Sequence, residues 1–216
     1  MERPAGPRHH REKKSLHAAE QTRPDVAAAR IDWRTRQPTL DPDRLVFLDE
    51  TGASTRRTRL YAWGQQSQRV VDRQPQSHGK TITFGAALRS SGLVAPTVVD
   101  GPMTGDVFVA YVEQQLVRTL RPGDIVVMDN LQPHKRVGVR TAIEAAGAQV
   151  GYLPPYSPEL NPIEMAFAKI KAERRRRELR TIATLKAAFG ECPDWFTREE
   201  CDNFLQHCGY GPLHVS

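Results

Sequence analysis

Two short apolar runs that each stop at an acidic residue are the clearest pattern in this chain. Residues 45–48 end at Asp49, and residues 125–128 end at Asp129. Uninterrupted β-rich runs of this length are typical of strands buried on both faces of a parallel or mixed sheet. Since ligands of open α/β sheets bind just beyond the carboxyl ends of such strands, the two acids predict a site. Asp also ends strands simply because it favours turns, so that alternative stays open.

The rest of the chain alternates between strand-like and helix-like spacing. Further strands are predicted at residues 59–72, 80–88, 93–99 and 149–153, and helices at residues 24–33, 104–120, 137–146, 181–189 and 197–207. Consecutive strands with short connections pair antiparallel. Phe108, Val112 and Leu116 give the helix at residues 104–120 one buried face. The pattern therefore predicts three antiparallel strands followed by helix, strand, helix, strand and helix, with residues 93–99 as an insertion or extension.

A third acid, Glu164, opens a helix directly after a proline-rich segment. Asn161 is suited to cap that helix, Pro162 to occupy its first position and Glu164 its third. The same spacing fits a capping box, in which Glu164 would only bind a free backbone N–H. The acids at the two strand ends favour the other interpretation, in which Glu164 joins Asp49 and Asp129 as a metal ligand.

Basic residues crowd the helix that Glu164 opens. Glu164, Lys171 and Arg175 fall on one stripe of this helix, which would place cations along the path of a phosphate chain. The candidates for DNA contact are Lys169, Lys171, Arg174 and Arg175. A solvated helix face explains the same run of charge. Over the whole chain, 31 Lys and Arg against 25 Asp and Glu give a net charge of +6, which favours a polyanionic partner.

Length and cysteine content narrow the class of protein. A chain of 216 residues with 39% hydrophobic content can bury one core of ordinary size. An odd number of cysteines without a signal peptide predicts a reduced, cytoplasmic location. Zinc is not expected, because no C-x-x-C pair occurs among Cys192, Cys201, His207 and Cys208. A membrane is not expected as a partner, because no run reaches the roughly 18 apolar residues of a membrane span.

Three sequence blocks resemble a known family of enzymes. The blocks are Leu48-Asp-Glu-Thr-Gly52, Met128-Asp-Asn-Leu-Gln-Pro-His134 and Leu153-Pro-Pro-Tyr-Ser-Pro-Glu-Leu-Asn-Pro-Ile-Glu164. They are similar to the motifs of bacterial insertion-sequence transposases of the mariner superfamily, in the branch called the six-thirty family. As in that branch, 34 residues separate the second and third acids. The resemblance covers nearly the whole chain and implies a ribonuclease-H-like α/β fold, a mixed sheet flanked by helices with further C-terminal helices.

The resemblance also implies a DDE site in which Asp49, Asp129 and Glu164 hold two Mg²⁺ or Mn²⁺ ions, with Asp49 bridging both. Such hard ions prefer carboxylate oxygens, and a pair of them suits phosphodiester cleavage. The implied activity is cleavage at transposon ends followed by strand transfer into double-stranded target DNA at a TA dinucleotide, carried out by a homodimer. The residues expected to support the ligands are Glu50, Asn130 and His134. A plain loop histidine is an equally good interpretation of His134.

The N-terminal side departs from the family pattern. Family members begin with a helix-turn-helix region that recognises the transposon ends. Here we predict a disordered basic tail at residues 1–14, a joining helix within residues 15–40, the catalytic domain at residues 41–180 and a helical extension at residues 181–216. We therefore expect the second half of a split transposase that works with a separate helix-turn-helix half. The alternatives are a catalytically silent nucleic-acid-binding remnant, and a ribonuclease-H-like nuclease or resolvase that cuts without joining.

Overall fold

A single five-stranded sheet forms the centre of the molecule in the computed structural model, which describes residues 19–54, 81–179 and 181–211. The strands are β1 Leu45–Ser54, β2 Thr81–Arg89, β3 Gly92–Asp100, β4 Ile125–Met128 and β5 Gln149–Tyr152. Their order across the sheet is β3-β2-β1-β4-β5. The first three strands pair antiparallel, whereas β4 runs parallel to β1 and β5 parallel to β4. The predicted mixed sheet of a ribonuclease-H-like fold is confirmed.

Helices cover both faces of this sheet. In the part of the chain that the structure describes, the α-helices are α1 Pro24–Arg36, α2 Gly105–Gln114, α3 Val137–Ala145, α4 Ile163–Arg176, α5 Ile182–Glu191 and α6 Arg198–His207. α2 and α3 share a core with one face, and α1, α4, α5 and α6 share a core with the other. None of these described helices is long and apolar enough to cross a membrane.

Strand β1 is buried on both faces because its side chains alternate between the two cores. Leu45 and Phe47 lie in the core beneath α4, while Val46 and Leu48 lie in the core beneath α2 and α3. All four are fully buried. Burial of each such side chain stabilises the fold by about 1.5–3 kcal/mol. The position of the next residue, Asp49, is therefore fixed by packing on both sides of the sheet.

A buried ion pair holds the start of β4. Asp124, just before this strand, accepts hydrogen bonds from Arg89 Nη1 at 2.8 Å and Nη2 at 2.9 Å, and from the backbone N–H of Arg121 at 2.7 Å. The carbonyl of Thr119 accepts a further bond from Arg89. Both charged side chains are almost completely buried. The pair connects the start of β4 to the end of β2, so it fixes the position at which the strand leading to Asp129 begins.

Several predicted boundaries differ from the structure. β1 does not stop at Asp49 but continues to Ser54, because its second half pairs with β2. Residues 93–99 are not an insertion, since they lie in β3, the edge strand that pairs with β2. The helix predicted at residues 104–120 ends at Gln114 and is followed by a 3-10 turn at Leu116–Thr119. The strand predicted at residues 59–72 and the tail at residues 1–14 lie outside the described residues.

The three cysteines pack as apolar side chains. Cys192, Cys201 and Cys208 are unpaired and buried in the core shared by α4, α5 and α6. Burial raises the pKa of Cys192 to about 12 and the pKa values of Cys201 and Cys208 to about 11. These thiols are therefore protonated at neutral pH, in the form that behaves as a small hydrophobic group.

Candidate active site

Asp49 and Asp129 lie side by side because β1 and β4 run parallel in register. Phe47 pairs with Val127, so each acid is two residues beyond the last paired position. Adjacent strands are about 4.8 Å apart, and residues two apart along a strand point to the same face. Phe47 and Val127 belong to the core beneath α4. Both acids therefore continue the face of the sheet that α4 covers.

Glu164 comes to the same place from α4. Together with both aspartates it lines a cleft of about 350 Å³, and the other lining residues are Asn130, Leu131, Leu153, Pro154, Pro155, Tyr156, Ser157, Pro158 and Asn161. Glu164 is exposed and occupies the second position of α4, which begins at Ile163 and not at Pro162. No side chain caps this helix. The capping box is therefore not formed.

The predicted capping role of Asn161 is wrong. Its side chain turns away from the helix, and Nδ2 donates a hydrogen bond of 2.8 Å to Asp49 Oδ2. The backbone carbonyl of Asn161 accepts the N–H of Glu164 instead. Asn161 is buried, and its Oδ1 atom has no hydrogen-bond partner among the described residues. Asn161 thus connects the start of the helix that carries the third acid to the first acid.

Asp49 is held between two donors in a crowded anionic setting. It is 8% exposed, and the backbone N–H of Glu50 donates to its Oδ1 atom at 2.7 Å. Burial raises the pKa of Asp49 to about 7, with smaller contributions in the same direction from the carboxylates of Asp129, Glu50 and Glu164, against the Glu50 hydrogen bond. A cation in the cleft would relieve the repulsion among these acids.

A buried histidine joins Asp129 to a fourth acid. His134 is fully buried and packs against Phe108 of α2, with ring centroids 4.4 Å apart. Its Nε2 atom lies 3.1 Å from Glu50 Oε2, and its Nδ1 atom contacts Asp129 Oδ1. Burial lowers the pKa of His134, but the contacts with Asp129 and Glu50 outweigh it and raise the pKa to about 10. The imidazole thus lies between two carboxylates, which favour its protonated form.

The donor set fits a hard divalent cation. The cleft brings together three carboxylates, and its lining contains neither thiol nor imidazole. Mg²⁺ and Mn²⁺ prefer such oxygen ligands. In the described ranges no three acidic, His or Cys side chains converge tightly enough on one point to hold an ion by themselves.

The other predicted site residues fall into two groups. Glu50 and His134 contact each other beside Asp129, and Asn130 lines the cleft. On α4, Lys169 donates to Glu200 Oε2 at 2.5 Å and to the carbonyl of Trp195, while Arg174 is buried. Arg174 is thus turned into the protein, and the Lys169 ammonium binds Glu200 and the Trp195 carbonyl while its side chain stays 37% exposed. Arg175 is exposed, and Lys171 is half-buried like Lys169.

The sequence gives no sign of the contact between Asn161 and Asp49, which lie 112 residues apart. The segment Asn-Pro-Ile-Glu has the spacing of a helix start. Because this spacing already explains Asn161 as a cap, nothing in the sequence suggests its contact with a distant strand. The pairing of His134 with Glu50 crosses 84 residues and is equally invisible to local spacing. The His134 contact depends on the sheet order, which places β4 beside β1, and the Asn161 contact depends on the path of the chain from β5 to α4.

Comparison with protein families identifies the class. Residues 44–186, well over half of the chain, match the family model described as DDE superfamily endonuclease. The chain therefore belongs to this family. Comparison with curated proteins gives no match.

Among solved structures, the chain is similar to the Mos1 mariner transposase. The TM-score to the Mos1 strand transfer complex is 0.73 at 15% identity, covering 95% of this chain and 63% of that one. The Mos1 paired end complex with Mn gives a TM-score of 0.69 at 15% identity, with 95% and 64% covered. The Mos1 catalytic domain gives 0.62 at 13% identity, with 91% and 92% covered. At these identities the likeness establishes the fold, and the chain spans about the length of the catalytic domain.

Proposed function

We propose that this chain is the catalytic domain of a DDE transposase that cuts DNA at transposon ends and joins the freed strand to target DNA. One observation carries the proposal. The register of β1 and β4 sets Asp49 beside Asp129, and α4 brings Glu164 to the same cleft. Three carboxylates from two strand ends and a helix start are the ligands that a two-metal phosphoryl-transfer site requires. Solved Mos1 structures that contain Mg or Mn support divalent metal use.

Asp49, Asp129 and Glu164 would hold two Mg²⁺ or Mn²⁺ ions, and the bound metal would supply charge to activate the attacking oxygen and stabilise the leaving one. The residues around the ligands keep them in place. Asn161 and the Glu50 N–H direct Asp49, and His134 directs Asp129. Such support is important because misdirected ligands weaken both metal binding and turnover.

The proposed reaction has two steps at one site. In the first, a water oxygen attacks the phosphorus at the transposon end, the bond to the 3′ oxygen breaks, and a 3′-hydroxyl and a 5′-phosphate result. In the second, this hydroxyl attacks a phosphorus of the target strand, loses its proton and displaces the target 3′ oxygen. Lys171 and Arg175 lie on the same side of α4 as Glu164 and are the proposed contacts for the DNA backbone.

The finer assignment follows the sequence motifs. We propose membership of the bacterial six-thirty branch because 34 residues separate Asp129 from Glu164 and because the block ending in Asn161-Pro-Ile-Glu164 resembles that branch. The proposed partners are double-stranded transposon ends, a TA target, a second copy of the chain and a separate helix-turn-helix half. The proposed location is the bacterial cytoplasm. The structures of Mos1 described as paired end complexes support DNA as the partner.

A joining assay tests this proposal. A pre-cleaved duplex carrying the terminal repeat that flanks the gene is incubated with supercoiled plasmid and Mn²⁺, with and without an upstream helix-turn-helix protein. We expect joined product from the wild-type chain and a loss of at least about a thousandfold in Glu164→Gln, because one metal ligand is removed. Glu144→Gln is the matched control, since Glu144 lies on α3 outside the cleft and pairs only with Arg140 in the described contacts.

The other outcomes separate the rival functions. Nicked plasmid without joined product would indicate a nuclease or resolvase. DNA binding without nicking or joining under any condition would contradict the proposal and indicate a silent remnant. Equal activity of Glu164→Gln and wild type would remove Glu164 from the site.

A further inference from the structure

One side of the metal cleft is a short segment, residues 156–161, which we call the cleft wall. It leaves the preceding prolines through Tyr156, whose φ of 54° lies in the left-handed region. This conformation costs a non-glycine residue about 1–2 kcal/mol and persists only where neighbouring groups enforce it. Within the wall, Ser157 and Pro158 carbonyls accept the N–H groups of Leu160 and Asn161, each at 3.0 Å. The wall needs external support to keep this shape.

Arg30 of α1 supplies that support at three acceptors. Its Nη1 atom donates to the carbonyl of Tyr156 at 3.1 Å and to Ser157 Oγ at 2.7 Å, and its Nη2 atom donates to Glu159 Oε1 at 2.5 Å. The Arg30 side chain is 16% exposed and Glu159 is 43% exposed, so the bond to Ser157 is the best shielded from water of the three. The guanidinium thus reaches the carbonyl of the strained residue and both polar side chains that follow it.

The other end of the cleft wall is also connected to α1, through a chain of two hydrogen bonds. Trp33 Nε1 donates to the Tyr210 hydroxyl at 2.9 Å, and this hydroxyl donates to the carbonyl of Leu160 at 2.8 Å. The next residue, Asn161, donates to Asp49 Oδ2. A helix that contributes no ligand therefore determines where the residue contacting the first ligand lies.

We propose that Arg30 is a positioning residue of the active site: it holds the cleft wall so that Asn161 remains against Asp49. The inference rests on the proposed metal-dependent function. Arginine is required because its planar fork serves three acceptors at once, whereas a lysine ammonium is a point charge on a flexible stem. The expected consequence of losing the fork is a wall with more freedom, a less directed Asp49 and weaker metal binding, with the global fold retained.

The chain offers a matched control on the same helix. Arg34 is one turn further along α1 and contacts the same carboxylate, Glu159, at 3.6 Å, but its side chain is 58% exposed. Its described contacts include neither Tyr156 nor Ser157. Arg30→Lys and Arg34→Lys are therefore the same chemical change in two places, and only the first removes the fork from the wall.

The experiment compares these two variants with the wild-type chain by three measurements. Mn²⁺ affinity is measured from the electron paramagnetic resonance signal of free Mn²⁺, joining rate is measured against DNA concentration, and hydrogen exchange is followed in the peptide that contains the wall. For Arg30→Lys we expect Mn²⁺ affinity weakened about threefold to tenfold, kcat lowered about tenfold with KM for DNA within twofold, and faster exchange confined to the wall. Arg34→Lys should match the wild type in all three.

Each remaining result has a definite meaning. Wild-type values for Arg30→Lys, or equal losses in both variants, would overturn the proposal. If Arg30→Lys does not fold, Ser157→Ala removes one acceptor of the fork and should weaken Mn²⁺ affinity in the same direction by a smaller factor; no change there would also overturn it. If the wild-type chain binds no Mn²⁺ and joins no DNA, the proposed function fails, while the exchange measurement still decides whether Arg30 holds the wall.

Discussion

Asp49 is a carboxyl group whose folded surroundings disfavour its own charge. It is buried near three other acids, and its folded-state pKa of about 7 lies above the ordinary value of 3.8. The folded protein therefore holds this proton more tightly than the unfolded chain. It follows that the contribution of Asp49 to stability falls as the pH rises from 3.8 to about 7 and stays low above that range. Above pH 7 the buried, ionised Asp49 therefore destabilises the fold.

We therefore expect Asp49→Asn to stabilise the metal-free protein at pH 8, by on the order of 2 kcal/mol. The substitution removes the buried charge, and an amide at this position can donate to the unpartnered Oδ1 atom of Asn161 after that side chain turns over. Urea unfolding in EDTA measures the effect. At pH 5 the wild-type carboxyl is protonated in the folded state but ionised in the unfolded chain, so the difference should shrink, and it should vanish only below pH 3.8. A variant that is less stable than wild type at pH 8 would contradict this account.

At the scale of single residues, the three acids could be picked out from the sequence. The side chains that contact and orient them could not. Asp49 and Asp129 stand out because a strand buried on both faces leaves few places for a charge. Glu164 was ambiguous, because a metal ligand and a capping residue occupy the same position of a helix. The capping box is excluded only in three dimensions, where the Asn161 side chain bonds Asp49 and not the helix. The partner of Asn161 comes from a strand whose neighbour could not be deduced from local spacing.

The basic residues of helix α4 lie on different sides of the helix. A helix turns about 100° per residue, so Lys171 and Arg175 return to the side of Glu164, whereas Lys169 and Arg174 are turned toward the rest of the protein. Lys169 also lies 4.8 Å from the Phe196 ring centroid, which adds to its bonds with Glu200 and Trp195. Sequence composition alone does not show which basic residues lie on the side of Glu164 and which contact the rest of the protein. Only the first pair lies on the side of Glu164, where we propose that DNA leaves the cleft.

We expect Lys171→Gln and Arg175→Gln each to weaken DNA binding about threefold to tenfold at moderate salt. The slope of log affinity against log salt concentration should fall by about one per substitution, because each removes one phosphate contact. Fluorescence anisotropy with a labelled duplex measures both. Arg176→Gln is the control, since Arg176 lies on another side of the helix and pairs with Glu173. Equal losses in the control would mean that charge and not position matters.

The order of helices and strands could be predicted where the burial pattern of neighbouring residues was enough to define each element. The strands before Asp49 and Asp129 and the left-handed residue Gly147 that ends α3 agree with the prediction. The role of residues 93–99 was not predictable, because an edge strand and an inserted strand have the same period. The extension of β1 to Ser54 was missed for a related reason. Polar residues near an active site interrupt the apolar pattern without ending the strand.

At the scale of the whole molecule, metal binding in the cleft would be coupled to folding. A ligand that binds only the folded state stabilises it by an amount that grows with the logarithm of ligand concentration over Kd, and so raises the unfolding temperature. Because the cleft gathers acids only in the folded chain, we expect millimolar Mn²⁺ to raise the unfolding midpoint. The effect should be larger at pH 8 than at pH 6. Below its pKa of about 7, Asp49 must lose a proton before it can bind, which weakens the apparent affinity about tenfold at pH 6.

Differential scanning fluorimetry at both pH values checks this linkage. Potassium chloride at equal ionic strength controls for general screening of charge. A midpoint shift of the same size at pH 6 and pH 8 would show that Asp49 does not take part in metal binding, or that its folded-state pKa is ordinary.

The buried cysteines have a practical consequence. Their thiols are shielded by the core and protonated at neutral pH, so maleimides and disulfide reagents should leave all three unmodified in the folded protein. The native cysteines should therefore not interfere when a single introduced cysteine is labelled. A single cysteine introduced at exposed Leu131, on the mouth of the cleft, could carry a spectroscopic probe or a cross-linker. Nucleic acid passing that mouth could then be followed without removing any native sulfur.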